Sequence, residues 1–129
     1  MGDAPQTLYR YKALVHAWVD GDTVDLLVDL GFRTKIADRF RLLGIDTPEL
    51  RPHKADFSSE EARQGHIKLA EAARDYALKL APVGSYVIVE TEKNEKQGKF
   101  GRFLGTIYVA THKESVNDLL LQKGHAKPY

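Results

Sequence analysis

The chain has 129 residues, a length that suggests one domain spanning 1–129, and its apolar and charged fractions are those of an ordinary globular protein. It contains no cysteine, which excludes disulfides and thiolate metal sites, and no apolar run approaches membrane-spanning length. The formal net charge of +1 leaves any electrostatic footprint to local clusters of side chains.

Residues 1–7 read as a flexible tail. The opening MGDAPQTLYRYK has no apolar core segment and does not read as a signal peptide. A cytoplasmic location is the expectation, or a secreted one if a leader has been trimmed. From Tyr9 to Val19 the odd positions are Tyr9, Tyr11, Ala13, Val15, Ala17 and Val19, which is period-two strand patterning. Asp20-Gly21 is a hairpin turn signal. A second strand follows, with Val24, Leu26, Val28 and Leu30 on one face and Asp25 and Asp29 on the other. Gly31 turns the chain again, and Ile36 to Leu43 gives a third strand. The first third is therefore expected to be a three-stranded antiparallel meander.

A polar spacer runs from Leu50 to Phe57. Ser58 and Glu61 have capping-box spacing and open a helix. Leu69, Ala70, Ala73, Tyr76, Ala77 and Leu80 recur along it as one apolar stripe. Gly65 is expected to divide this region into a short turn and a main helix, and Pro82 and Gly84 end it. Tyr86–Glu92 is a fourth strand, followed by a charged loop and a fifth strand from Phe103 to Val109. Ser115 caps a last helix, and Gly124 sits where a left-handed C-terminal cap belongs. The pattern predicts an α+β fold, mainly β: a five-stranded OB-type Greek-key barrel with two or three helices.

The chemistry concentrates at Phe40–Glu49, FRLLGIDTPE. Phe40 and Leu42 point one way and Arg41 and Leu43 the other. Gly44 marks a bulge or a close backbone approach. Pro48 stops the strand and holds Thr47 extended, so Asp46 and Glu49 stand on a stiff turn. Taken alone, this is as readily a solvated acidic turn. The balance shifts when Asp22 is set beside Asp46, because carboxylates and a Thr47 carbonyl suit a hard divalent cation, calcium or magnesium. DGDTVD is not an EF-hand loop, since Asp25 stands at its sixth position and Gly31 at its twelfth. His16, His53, His66, His112 and His125 show no ligand spacing and are read as surface or packing residues. Arg102 directly follows Gly101 at a strand start, and with Arg41 it could clamp a phosphate.

Four stretches together resemble the staphylococcal nuclease family: DGDTVDL at 20–26, FRLLGIDTPE at 40–49, KFGRFLGTIYV at 99–109 and SVNDLLLQKGHAK at 115–127. They occur in the family's order and roughly its spacing. The resemblance implies a calcium-dependent endonuclease that hydrolyses DNA and RNA to 3′-phosphate ends. It assigns Asp22, Asp46 and the Thr47 carbonyl to calcium. It makes Arg41 and Arg102 the phosphate-binding arginines and Glu49 the base for the attacking water. Lys99 and Phe100 match a lysine–tyrosine pair beside the nucleotide phosphate, with the hydroxyl missing here. Tyr129 is a base-stacking candidate near the point where the family continues with a further tyrosine. The spacer after Glu49 differs from the family's loop. The expected partners are DNA and RNA substrates with no membrane, and the protein is expected to act as a monomer. The competing reading is a non-catalytic nucleic-acid-binding module. It is disfavoured because Asp22, Arg41, Asp46, Glu49 and Arg102 are all present, and carboxylates repel phosphate unless a cation intervenes.

Overall fold

The computed structural model of the protein describes residues 8–92 and 103–129. The first three strands are β1 (Leu8–Asp20), β2 (Thr23–Asp29) and β3 (Lys35–Leu42). They form the expected antiparallel meander, with Val28 opposite Ala13 and Arg41 opposite Thr23. A two-residue strand, β4 (Ile45–Asp46), follows the Gly44 turn. The long helix α1 (Glu60–Leu80) leads to β5 (Tyr86–Glu92) and β6 (Phe103–Tyr108). Helix α2 (Val116–Gln122) and a short β7 (Lys127–Pro128) complete the chain. The barrel closes in the order β1-β2-β3-β6-β5, with β5 returning to pair with β1 and β6 running parallel to β3. It is the OB-type α+β barrel that the strand pattern predicts, with two α-helices among the described residues.

The core is the inner face of this barrel. Val24, Leu26 and Val28 of β2, Phe40 and Leu42 of β3, Val87 and Val89 of β5 and Ile107 of β6 are buried. In β1 the parity changes partway. Ala13 and Val15 point inward as the alternation predicts, but the register slips between Val15 and Ala17. That bulge turns Trp18, an even position, into the core, where its indole N–H donates to the Ala81 carbonyl at 2.9 Å. Leu30, expected on the inner face, is instead exposed at the end of the β2–β3 hairpin. Gly105 also faces inward, and a Cβ there would sit 2.9 Å from Val89.

Helix α1 corrects three expectations. Its cap is Ser59 and not Ser58: the Ser59 hydroxyl accepts from the Ala62 N–H at 3.1 Å. Starting one residue later puts Glu60 and Glu61 in the first turn, where the helix dipole favours carboxylates. Gly65 does not divide the region, because the helix runs through it unbroken; a separate 3₁₀ turn forms earlier, at Lys54–Asp56. The buried face consists of Ala70, Ala73 and Ala77, whereas Leu69 is 64% exposed. Small side chains let the helix lie close against the barrel. Helix α2 behaves as read, with Ser115 accepting from the Asp118 N–H at 3.0 Å and Gly124 at φ 78°. The third and fifth strands end one residue short of expectation, at Leu42 and Tyr108.

Candidate active site

The site grows from the β1–β2 turn. Gly21 leaves room there that no side chain could share: a Cβ would stand 2.8 Å from the Ala73 Cβ and 3.1 Å from Thr47 Cγ2. Helix α1 and the 46–49 turn therefore both rest on this glycine. Asp20 and Asp22 on either side of it then hold the second loop by its backbone. Asp20 accepts from the Leu50 N–H at 2.9 Å and Asp22 Oδ2 from the Thr47 N–H at 3.0 Å. Asp22 Oδ1 accepts from the Thr23 hydroxyl at 2.9 Å. Asp22 is only 3% exposed, and charge-assisted bonds of this kind are what permit a carboxylate to be buried.

Arg41 comes from the next strand, on the outward side of the Phe40–Leu42 pair. Its guanidinium lies between two carboxylates, 3.4 Å from Asp22 Oδ2 and 3.1 Å from Asp46 Oδ1. It also donates to the Ile45 carbonyl at 3.3 Å. Tyr129 covers it, with the ring centroid 4.7 Å from the guanidinium carbon. The tyrosine is held there because its N–H donates to the Gly44 carbonyl at 3.0 Å and because β7 pairs with β4, Asp46 opposite Lys127. The close backbone approach expected at Gly44 is not what needs the glycine: a Cβ there would meet nothing within 4 Å, and the residue is a turn position at φ 80°. Glu49, the residue directly after Pro48, is exposed and shares a cavity wall with Asp46 and Thr47.

The structure brings together Asp22, Arg41, Asp46, Thr47 and Tyr129, with Glu49 beside them. Arg102, Lys99 and Phe100 lie outside the described residues. Among the described residues no group of three or more His, Asp or Glu side chains is arranged to hold a metal. What the site does offer is two carboxylates drawn onto one guanidinium. All the donors are hard oxygens with no imidazole among them, a set that suits calcium or magnesium better than zinc. Sequence reasoning missed the supporting layer. Asn117, at the start of α2, accepts from the Ile107 N–H at 3.1 Å and donates to the Leu43 and Gly105 carbonyls at 2.9 and 3.2 Å. It ties the strand that carries Arg41 to β6 and α2. Its one signal is a polar residue between Val116 and Leu119, in a helix that is otherwise apolar on that side.

Residues 39–129 match the family described as staphylococcal nuclease homologues, and this is well over half of the chain. The chain belongs to that family. This nuclease homologue is 30% identical over 122 residues to an uncharacterized lipoprotein of Mycoplasma genitalium, an alignment covering 91% of this chain and 44% of that protein. It is 31% identical over 131 residues to an uncharacterized protein of Methanocaldococcus jannaschii, covering 93% of this chain and 60% of that one. The nuclease homologue thus spans about half the length of these curated relatives. Among its described residues no helix is long and apolar enough to cross a membrane.

Proposed function

We propose that this domain is a calcium-dependent phosphodiesterase that cleaves DNA and RNA with little regard for the sugar and leaves 3′-phosphate ends. The observation that carries the reading is Arg41, held between Asp22 and Asp46 at the strand end, with Glu49 on the adjoining turn. A guanidinium fixed by two carboxylates and a tyrosine ring is already oriented before substrate arrives. Such preorganisation stabilises charge that develops on phosphoryl oxygens. Asp22, Asp46 and the Thr47 carbonyl are the proposed calcium ligands, with water completing the shell. Bound there, calcium would add positive charge beside the scissile phosphate. Glu49 takes a proton from water as the water oxygen bonds to phosphorus. The bond to the 5′ oxygen breaks, and that oxygen leaves as a 5′-hydroxyl after gaining a proton, so the phosphate stays on the 3′ side. Arg102 is assigned as the second phosphate-binding arginine on the family resemblance, with Lys99 and Phe100 beside the nucleotide.

The test is hydrolysis of plasmid DNA and of RNA by the wild-type protein and by Glu49→Gln. Cleavage is expected in calcium and none in EDTA. Losing the base is expected to cost roughly 100- to 10,000-fold in rate. Nucleic-acid binding without cleavage in calcium would instead favour a non-catalytic binding module, and full activity in EDTA would exclude the metal.

A further inference from the structure

The β2–β3 hairpin turns in a way its residues do not favour. The Thr34 N–H donates to the Gly31 carbonyl at 2.8 Å, which leaves Phe32 and Arg33 as the two central turn residues. Both have positive φ, 53° and 65°, and Gly31 before them stands at 80°. A two-residue loop with both central residues at positive φ takes Asn-Gly most readily, and a side chain as large as Phe is strained there. The strain holds Phe32 at the apex, where it is 100% exposed. Leu30 and Ile36, on either side of the turn, are exposed as well, so three large apolar side chains gather at the hairpin end. Arg33 and Lys35 stand among them, exposed, and among the described residues neither forms an ion pair. Asp29, opposite Lys35 in the ladder, is turned back onto the Gly31 N–H at 2.8 Å.

We propose that this tip docks the protein on an anionic lipid surface, with Phe32, Leu30 and Ile36 entering the headgroup region and Arg33 and Lys35 meeting lipid phosphates. A membrane interface accepts apolar side chains of any shape and attracts the cations beside them. It requires no spanning segment. A nucleic acid suits the tip less well. Bases stack on an aromatic ring, but Leu30 and Ile36 offer them no flat face. A strand running from the tip to Arg41 would also pass Asp29 and Asp38 of the same hairpin, which repel phosphate, while Arg39 is engaged by Asp25 at 2.7 Å. Position favours the lipid too. Lys35 and Arg41 lie towards opposite ends of β3, roughly 20 Å apart at about 3.3 Å per residue. Docking by the tip leaves Asp22, Arg41 and Asp46 at the far end of the hairpin from the lipid, and it is independent of the phosphodiesterase reading.

The experiment is co-sedimentation of the wild-type protein with vesicles of phosphatidylcholine mixed with phosphatidylglycerol, and with vesicles of phosphatidylcholine alone. Binding to the mixed vesicles is expected to be roughly tenfold or more the stronger, since each cation near an anionic surface contributes about fivefold. Phe32→Asn is expected to lower partition into the mixed vesicles roughly tenfold through lost apolar burial. Its melting temperature is expected not to fall, because Asn tolerates positive φ, and its affinity for a DNA duplex is expected to match the wild type. Equal binding of Phe32→Asn and the wild type to mixed vesicles overturns the lipid site, as does equal binding of the wild type to both kinds of vesicle. A Phe32-dependent dimer that forms without lipid overturns it in favour of a contact between copies of this chain. Lost duplex affinity in Phe32→Asn, with no vesicle binding by the wild type, overturns it in favour of a nucleic-acid contact. If Phe32→Asn fails to fold, the double variant Arg33→Gln with Lys35→Gln decides, and it is expected to bind mixed vesicles no better than neutral ones.

Discussion

Arg41 separates two carboxylates that would otherwise face each other across the strand end. Asp22 is buried, and its backbone and hydroxyl donors do not neutralise it; the guanidinium does. Arg41→Gln is expected to destabilise the metal-free protein by about 2 kcal/mol, below the ~3–5 kcal/mol typical of a fully buried pair because Asp46 remains partly solvated. Calcium should take over the lost positive charge. The rise in melting temperature on adding calcium is therefore expected to be larger in Arg41→Gln than in the wild type, while kcat falls on the order of 100- to 1,000-fold. Equal calcium shifts in the two proteins would show that these carboxylates do not share a cation site. The convergence of Asp22, Arg41 and Asp46 was legible in the sequence because turn chemistry fixes where strands end. That Thr47 meets Asp22 through its N–H was not, since the sequence placed Thr47 there by its carbonyl alone; nor was the meeting of His66 with Phe57, which no local spacing relates.

The helix and the β1–β2 turn meet through the smallest side chains available. Gly21→Ala would push a methyl group to within 2.8 Å of Ala73 and 3.1 Å of Thr47. Overpacking of this kind costs about 1–3 kcal/mol, and here the strain falls on the loop that carries Asp46 and Glu49. A lower melting temperature and reduced activity together are the expected outcome. Unchanged activity in a folded Gly21→Ala protein would mean that the loop relaxes without moving the site. The long elements were readable because each has its own period, two for the strands and 3.6 for α1. The short pair β4 and β7 was not, since two residues have no period. Nor was the switch of facing in β1, because a bulge at His16–Ala17 leaves the alternation of the sequence intact while reversing what it means.

Across the whole surface, several of the described arginines are drawn onto carboxylates. Arg10 pairs with Glu90, Arg39 with Asp25, Arg63 with Glu60 and Arg74 with Asp75. A formal net charge of +1 gives no overall electrostatic drive to release many counterions. Substrate affinity measured against salt concentration should therefore fall with a shallow slope. A slope equivalent to six or so phosphate contacts, by the roughly proportional relation between slope and contacts, would require a larger basic surface. The pairing of β4 with β7 has one more consequence, and it concerns time. Ile45 and Asp46 leave an early hairpin, but their partners Pro128 and Lys127 are almost the last residues of the chain. Local hairpins form in microseconds, whereas contacts this distant in sequence must wait for the intervening chain to be made and ordered. The meander can close long before Tyr129 reaches Arg41. In refolding, recovery of barrel structure by circular dichroism is expected to precede recovery of hydrolysis, so that a new molecule passes through a folded but inert stage; simultaneous recovery of both signals would show that the site forms with the barrel.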